Sequence, residues 1–235
     1  MIKEIEKDLI KLSERCDEID VLKQNTEVRD IVLDLKDTLR TYENGVGLAA
    51  PQIGYNKRIF VMKFANNEYR SFINPIIVDA KGFELSREGC LNFPDKEFIR
   101  PRNNQITAIY QTPLGKTETR KFVGFAAKIF QHELDHLDGL TLPDVALELP
   151  EDYDKLTDDE KEDMIRKYLD SLDVKQKEID KEIQENENLK KVNDGIEFMQ
   201  KLAKGEVQLE SRPFTGDEQK QLKKKQEEFK KNEEE

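Results

Sequence analysis

From Thr26 to Arg40 the apolar residues Val28, Ile31, Val32, Leu35 and Leu39 recur at steps of three and four, the period of a helix with one buried face. The spacing predicts a helix with Thr26 as its N-cap and Asn44-Gly45 as its stop. Beyond a glycine-rich stretch, Arg58 to Phe64, Ser71 to Ala80 and Gln105 to Gln111 are short, rich in Ile, Phe and Val, and bounded by turn residues, so they read as strands. Thr112-Pro113-Leu114-Gly115 places proline at the second position of a turn and predicts an antiparallel hairpin between Gln105–Gln111 and Lys116–Val123. Helical spacing returns from Gly124 to Asp138, with Phe125, Ile129, His132 and His136 on one face and Gly139 as the stop. Strands gathered ahead of a single late helix predict an α+β fold, antiparallel sheets around that helix with a further helix at the N-terminal side.

Past Pro150 the pattern changes. Thr157 to Glu160 has the spacing of a capping box, and Ile165, Leu169, Leu172, Ile179 and Ile183 form a stripe that slips phase near Leu189, Val192, Ile196 and Met199. Thr215 to Glu218 repeats the cap spacing before a tail of mixed charge. Residues 1–150 carry 21 basic and 24 acidic side chains, whereas residues 151–235 carry 18 and 26, a density of charge that leaves little apolar surface to offset the entropy of ordering. The expectation is a catalytic domain over residues 1–150 and a mostly helical, charged extension over residues 151–235.

The formal net charge of −11 argues against a nucleic-acid reader, which needs a cationic surface to displace counterions. No apolar run approaches the length needed to cross a bilayer, and the first residues lack a signal-peptide pattern, so a cytoplasmic protein without membrane contact is expected. Two cysteines 74 positions apart make no disulfide scaffold; Cys16, set among Glu14, Asp17 and Glu18, is read as incidental.

The late helix carries the chemistry. His132-Glu133-Leu134-Asp135-His136 sets two imidazoles four residues apart, on one side of a helix, where both can bind one divalent metal, and Glu133 lies about 100° round the axis, near enough to reach water at that metal. Two surface histidines on a helix are the plain alternative. These are the only histidines, so a third protein ligand must be Cys, Asp or Glu. Leu142 stands where the extended three-histidine protease motif needs its last ligand, which excludes that class. A glutamate further along would serve a thermolysin-like site, but Cys90 is the better candidate: it lies in Glu88-Gly89-Cys90-Leu91-Asn92-Phe93-Pro94, where glycine and proline impose an irregular backbone able to aim a thiolate. A small buried hydrophobe is the alternative role for Cys90.

A third segment, Gly45-Val46-Gly47-Leu48-Ala49-Ala50-Pro51-Gln52, reads alone as a tight turn of small residues. Taken together, GVGLAAPQ, EGCLN and QHELDHLDG, in this order and spacing, resemble peptide deformylase, the metal hydrolase that removes the formyl group from nascent polypeptides; the resemblance covers roughly residues 20–147. It implies Cys90, His132 and His136 as metal ligands around a central HExxH helix, Glu133 as general acid and base, and the Gln52 amide with the Leu91 backbone N–H as donors to the oxyanion. It also implies ferrous iron as the native ion, with zinc, nickel or cobalt as substitutes that a thiolate and two imidazoles also suit, and a formyl-Met peptide as substrate.

Gly45, Gly47 and Gly89 would let the substrate backbone approach closely, and Val46, Phe125 and Ile129 would wall the methionine side chain, with a plain core role equally open to Ile129. Three positions depart from or vary within the family pattern: Asn92 where serine is usual, Glu97 where some relatives are basic, and Lys128 at a helix position basic in some relatives and apolar in others. A monomer is expected. In this family a C-terminal helix can be a basic ribosome contact, which Lys220, Lys223, Lys224, Lys225, Lys230 and Lys231 offer locally, although a solvated charged helix accounts for them as well. Other classes remain: a metallopeptidase that cleaves internal amides through Glu133, and a non-catalytic binding protein acting through its long tail.

Overall fold

A computed structural model of the chain describes residues 1–185. The stripe at Leu189, Val192, Ile196 and Met199, the cap at Thr215 to Glu218 and the lysine-bearing tail lie outside the described residues. In chain order the elements are α1 (Leu9–Leu12), α2 (Asn25–Leu39), β1 (Gly47–Ala49), a 3₁₀ turn (Ala50–Ile53), β2 (Ile59–Lys63), β3 (Tyr69–Cys90), β4 (Phe93–Gln111), β5 (Thr117–Val123), α3 (Phe125–Leu137), α4 (Leu142–Val145), β6 (Leu147–Glu148), a second 3₁₀ turn (Tyr153–Lys155) and α5 (Asp158–Glu185). The strands pair antiparallel in the order β1-β2-β3-β4-β5, with β6 added to β4, so the α+β reading with antiparallel strands holds.

The helix over Val28 to Leu39 forms as its period requires and buries Val28, Ile31, Val32, Leu35 and Leu39. Its start differs from the expected one. The Asp20 carboxylate accepts the N–H groups of Leu22 and Lys23, and the turn it builds runs straight into α2, so Gln24 precedes the helix and Thr26 falls inside the first turn. The Thr112–Gly115 turn is as read: Gly115 N–H donates to Thr112 O at 2.9 Å, with Gly115 at φ 78°, where glycine costs least.

β3 and β4 extend well beyond the apolar cores that announced them and form one long hairpin, Tyr69 to Gln111, closed by the two-residue turn Leu91-Asn92. Between the pairs Glu88↔Phe98 and Cys90↔Phe93 the register shifts, β3 advancing two residues where β4 advances five. Such an irregularity re-aims the side chains beside it; here it sits directly before Cys90.

α3 lies over an aromatic cluster. The Phe130 ring meets Phe60, Phe72 and Phe122 at centroid distances of 5.0, 5.3 and 4.9 Å, within the range of favourable aromatic pairs. The far end of the helix is pinned by the buried Arg58, whose Nη1 donates to Leu137 O at 3.1 Å and to Asp138 Oδ1 at 2.7 Å, a cation where the helix dipole is negative. Cys16 is not incidental: it is buried in this same core, its N–H bonds Leu137 O, and burial pushes its thiol pKa up to about 12, which keeps it inert.

Beyond Pro150, Thr157 and Glu160 exchange the capping-box bonds, Thr157 N–H to Glu160 Oε2 at 2.8 Å and Glu160 N–H to Thr157 Oγ1 at 3.3 Å, and α5 follows. Its buried anchor is Tyr168, which the apolar stripe omits; the hydroxyl donates to Val145 O at 2.8 Å. Among the described residues no helix is long and apolar enough to cross a membrane.

Candidate metal centre

Helix geometry and the hairpin end bring together residues that are 42 to 46 positions apart in sequence. Cys90 Sγ, one nitrogen of His132 and one of His136 all lie within 4.8 Å of one another. Cys90 Sγ and His136 Nε2 are 3.3 Å apart. Ligand distances of about 2.3 Å for sulfur and about 2.0 Å for nitrogen around a tetrahedral ion place those two donors about 3.5 Å apart. One thiol and two imidazoles so disposed fit a single divalent transition metal, and they are the described residues that form such a cluster.

The imidazole of His132 is oriented from behind. Its Nδ1 is 3.0 Å from Glu88 Oε2, which leaves Nε2 facing Cys90 and His136. Burial works to lower the His132 pKa, but hydrogen bonds to Cys90 and Glu88 prevail and raise it well above the ordinary value. His136, buried and next to His132, is held well below it and is a neutral donor. The Glu88 carboxyl is itself buried, yet the fork of Arg102 and the His132 contact hold it well below the usual carboxylate range. Arg102 Nε and Nη2 reach the two oxygens of Glu88 at 2.7 and 2.8 Å, and its Nη1 reaches Asp135 Oδ2 at 2.6 Å; Arg100 also pairs with Asp135. This guanidinium–carboxylate network lies under the ligand helix and has no sequence motif of its own.

Glu133 is 3% exposed, and its Oε2 is buried without a protein partner. Burial pushes its carboxyl up to about 7, the direction expected of an acid in an apolar setting; a divalent cation alongside would act in the opposite direction. A Cβ added at Gly47 would stand 2.2 Å from Glu133 Oε1, so the glycine is required for the carboxylate to lie where it does. The sequence reads Gly47 as part of a tight turn of small residues and as room for the substrate backbone; its contact with Glu133 has no signal there.

Gln52 is 2% exposed and sits in the 3₁₀ turn after β1; its Oε1 accepts the Ala49 N–H at 2.7 Å. Leu91 occupies the turn closing the β3–β4 hairpin, and its N–H is used by none of the turn and loop hydrogen bonds among the described residues.

A cavity of about 580 Å³ opens over these groups. Gln52, Cys90, Leu91, His132 and Glu133 line its floor, and His136 lies buried beneath it. Gly45, Val46, Gly47 and Gly89 line the cavity, as do Phe125 and Ile129, so every residue assigned to substrate from sequence borders the same space. Their roles differ. A side chain at Gly45 would collide with Leu39, at 2.7 Å, whereas one at Gly89 would meet only Lys96 O at 4.0 Å, which leaves the Gly89 backbone open to a guest. Phe125 is exposed at the mouth; Ile129 is buried and belongs to the aromatic core as well as to the cavity wall. Lys128 also lines the cavity and is paired with Glu84, while Glu97 and Asp154 both pair with Arg87 at the rim.

The family model for polypeptide deformylase matches residues 2–150. A peptide deformylase of Dictyoglomus turgidum is 40% identical over 128 residues, which are 54% of this chain and 82% of that protein. One from Thermotoga maritima is 37% identical over 125 residues, 53% of this chain and 75% of the relative. Among solved structures, the Thermotoga maritima peptide deformylase superposes with a TM-score of 0.58 at 33% identity, covering 62% of this chain and 97% of that one. A Met-Ala-Ser-bound class I type b peptide deformylase from Acinetobacter baumannii gives 0.56 at 26% identity, covering 62% and 99%.

Proposed function

The chain belongs to the polypeptide deformylase family, a family of hydrolases that remove the N-formyl group from nascent polypeptides, and from that membership we propose that Glu133, Gln52 and the Leu91 N–H carry the chemistry at a metal held by Cys90, His132 and His136. The observation that carries the proposal is the buried, partnerless carboxylate of Glu133 beside three ligand atoms within 4.8 Å of one another. A divalent ion there supplies Lewis acidity that makes water nucleophilic near neutral pH.

Glu133 accepts a proton from the water that attacks the formyl carbon. As the carbonyl becomes an oxyanion, the Gln52 side-chain amide and the Leu91 N–H donate to it from fixed positions. Glu133 then returns the proton to the departing amine as the C–N bond breaks, giving formate and a free N-terminal amine. The open backbone at Gly89 accepts the peptide alongside it, as an added strand, and Val46, Phe125 and Ile129 enclose the methionine side chain. That the Acinetobacter baumannii relative holds Met-Ala-Ser supports a peptide of this kind in the cavity.

The proposal includes ferrous iron as the native ion, with zinc, nickel or cobalt as substitutes, and a monomer acting in the cytoplasm on chains leaving the ribosome. Ribosome contact through the lysines between positions 220 and 231 is the sequence-based part of it. The family match ends at residue 150, which supports a catalytic domain over residues 1–150 and an extension beyond.

The direct test is anaerobic formate release from formyl-Met-Ala-Ser by iron-loaded protein. Release is expected to stop on chelation and return with the ion, and acetyl-Met-Ala-Ser is expected to yield no acetate. No formate from fully metallated protein would overturn the reading.

Gly47→Ala tests the seat of Glu133. The new methyl group needs the space of Oε1, so the carboxylate must turn away, and kcat is expected to fall about 100-fold, the scale of a displacement of about 1 Å. Metal content, measured on the same protein, is expected to stay full; an unchanged kcat would show that Glu133 need not lie against β1.

A further inference from the structure

We propose that Asn92 is a positioning residue, which fixes the Gln52 side-chain amide so that one N–H is held by Asn92 and the other is left for the substrate oxygen. The proposal rests on the reading of Gln52 as an oxyanion donor. Asn92 does not line the cavity, so it does not act on substrate directly; its Oδ1 touches Gln52 Nε2 at 2.7 Å and, more loosely, Cys90 Sγ at 3.4 Å.

A side-chain amide has one oxygen and two N–H groups, and here each is spoken for in turn. Gln52 Oε1 accepts from Ala49 N–H at 2.7 Å, and Gln52 Nε2 donates to Asn92 Oδ1 at 2.7 Å. The remaining N–H has only Cys90 Sγ, at 3.6 Å, and sulfur is a weak acceptor. That N–H therefore faces the cavity side of the metal cluster at little cost when a carbonyl oxygen takes it over.

Asn92 is fixed in its turn. Its Nδ2 donates to Glu6 O at 2.8 Å, and Glu6 N–H donates to Gln52 O at 2.9 Å, so the circuit from Gln52 side chain through Asn92 and Glu6 returns to the Gln52 backbone. The amide orientation follows from the circuit. Turning Asn92 by 180° would set its NH₂ against the Gln52 NH₂ and its oxygen against Glu6 O, two repulsions in place of two bonds. A serine here would carry its oxygen on a shorter stem and could accept from Gln52 without donating to Glu6 in the same geometry. Asparagine adds the tie between the segment preceding α1 and the reaction site.

The test uses metal-loaded protein and two readouts. Asn92→Leu, which keeps the volume and loses the bonds to Gln52 and Glu6 and the 3.4 Å contact with Cys90 Sγ, is expected to keep its full metal content and to lower kcat about 10- to 100-fold with KM within twofold. Asn92→Ser, which keeps an acceptor for Gln52, is expected to restore kcat to within about threefold of the parent. In the zinc-loaded protein, ¹H–¹⁵N spectra are expected to show one Gln52 side-chain N–H signal, the one bound by Asn92, exchanging with water more slowly than the other, both identified by their loss in Gln52→Ala, and that protection is expected to be lost in Asn92→Leu.

Because Asn92 acts through Gln52, Asn92→Leu is expected to add nothing in a Gln52→Ala background. If Gln52→Ala leaves kcat unchanged, the oxyanion reading itself fails. If Gln52→Ala lowers kcat but Asn92→Leu leaves kcat and the Gln52 signals as they were, or if the two losses multiply, the positioning role is overturned. Should Asn92→Leu not fold, rapid exchange of both Gln52 NH₂ protons in the parent protein would overturn it equally.

Discussion

Glu133→Ala is expected to lower kcat for formate release by about 1,000-fold, within the range of about 10²–10⁴ seen when a positioned general base is removed. Glu88 also borders the cavity, but its two oxygens are taken up by Arg102 and His132. Glu133→Gln, which preserves volume, is expected to be as inactive as the alanine variant, because an amide cannot accept the proton. The effect on stability should have the opposite sign. A buried carboxyl with an unpartnered oxygen opposes folding, so its removal is expected to leave the urea midpoint of the metal-free protein unchanged or raised. Formate release and bound metal must be measured on the same preparations; full metal occupancy with parental kcat in either variant would remove Glu133 from the reaction.

Much of this centre was legible because its key parts are local in sequence. His132 and His136 announce a shared side by their four-residue spacing, and the structure places both rings, centroids 5.1 Å apart, on α3. The glycine and proline around Cys90 signalled an irregular backbone, found as the register shift at the hairpin end. The strands were read too short because polar residues interrupt the apolar pattern: at Lys81 to Glu84 backbone pairing and not burial carries the strand, and the buried Phe98 and Ile99 are cut off from the apolar run further along by polar residues. Gly47 has no local signal for its role, since the atom that requires its bareness belongs to Glu133, on a distant helix. Tyr168 escaped the stripe on α5 because an aromatic with a hydroxyl reads as an edge residue until Val145 O is found to receive it. The fork of Arg102 on Glu88 and Asp135 joins a strand to a strand and to a helix, and no spacing rule reaches that far.

That fork gives the largest expected loss of stability. Arg102→Met is expected to destabilise the protein by about 3–5 kcal/mol, the range for breaking a buried ion pair from one side. The side chains involved are nearly dry, 3% exposed for Arg102, 8% for Glu88 and 18% for Asp135, so water cannot take over the lost bonds. Arg100 still pairs with Asp135, which leaves Glu88 as the orphan. Without the guanidinium, a buried Glu88 favours its protonated form, and a protonated carboxyl is a poorer acceptor for His132 Nδ1–H. The ring of His132 then loses its fixed tautomer, and zinc affinity, measured by competition with a chelator, is expected to fall about 10- to 100-fold. Adding Glu88→Gln separates the two effects. The double variant buries no unpaired charge at that position and should regain most of the stability in urea melts of the metal-free protein, while the oxygen of the new side-chain amide still accepts from His132 and recovers part of the zinc affinity. A loss of less than about 1 kcal/mol in Arg102→Met would mean that solvent reaches Glu88 once the arginine is gone, and that the network orients His132 without holding the fold together.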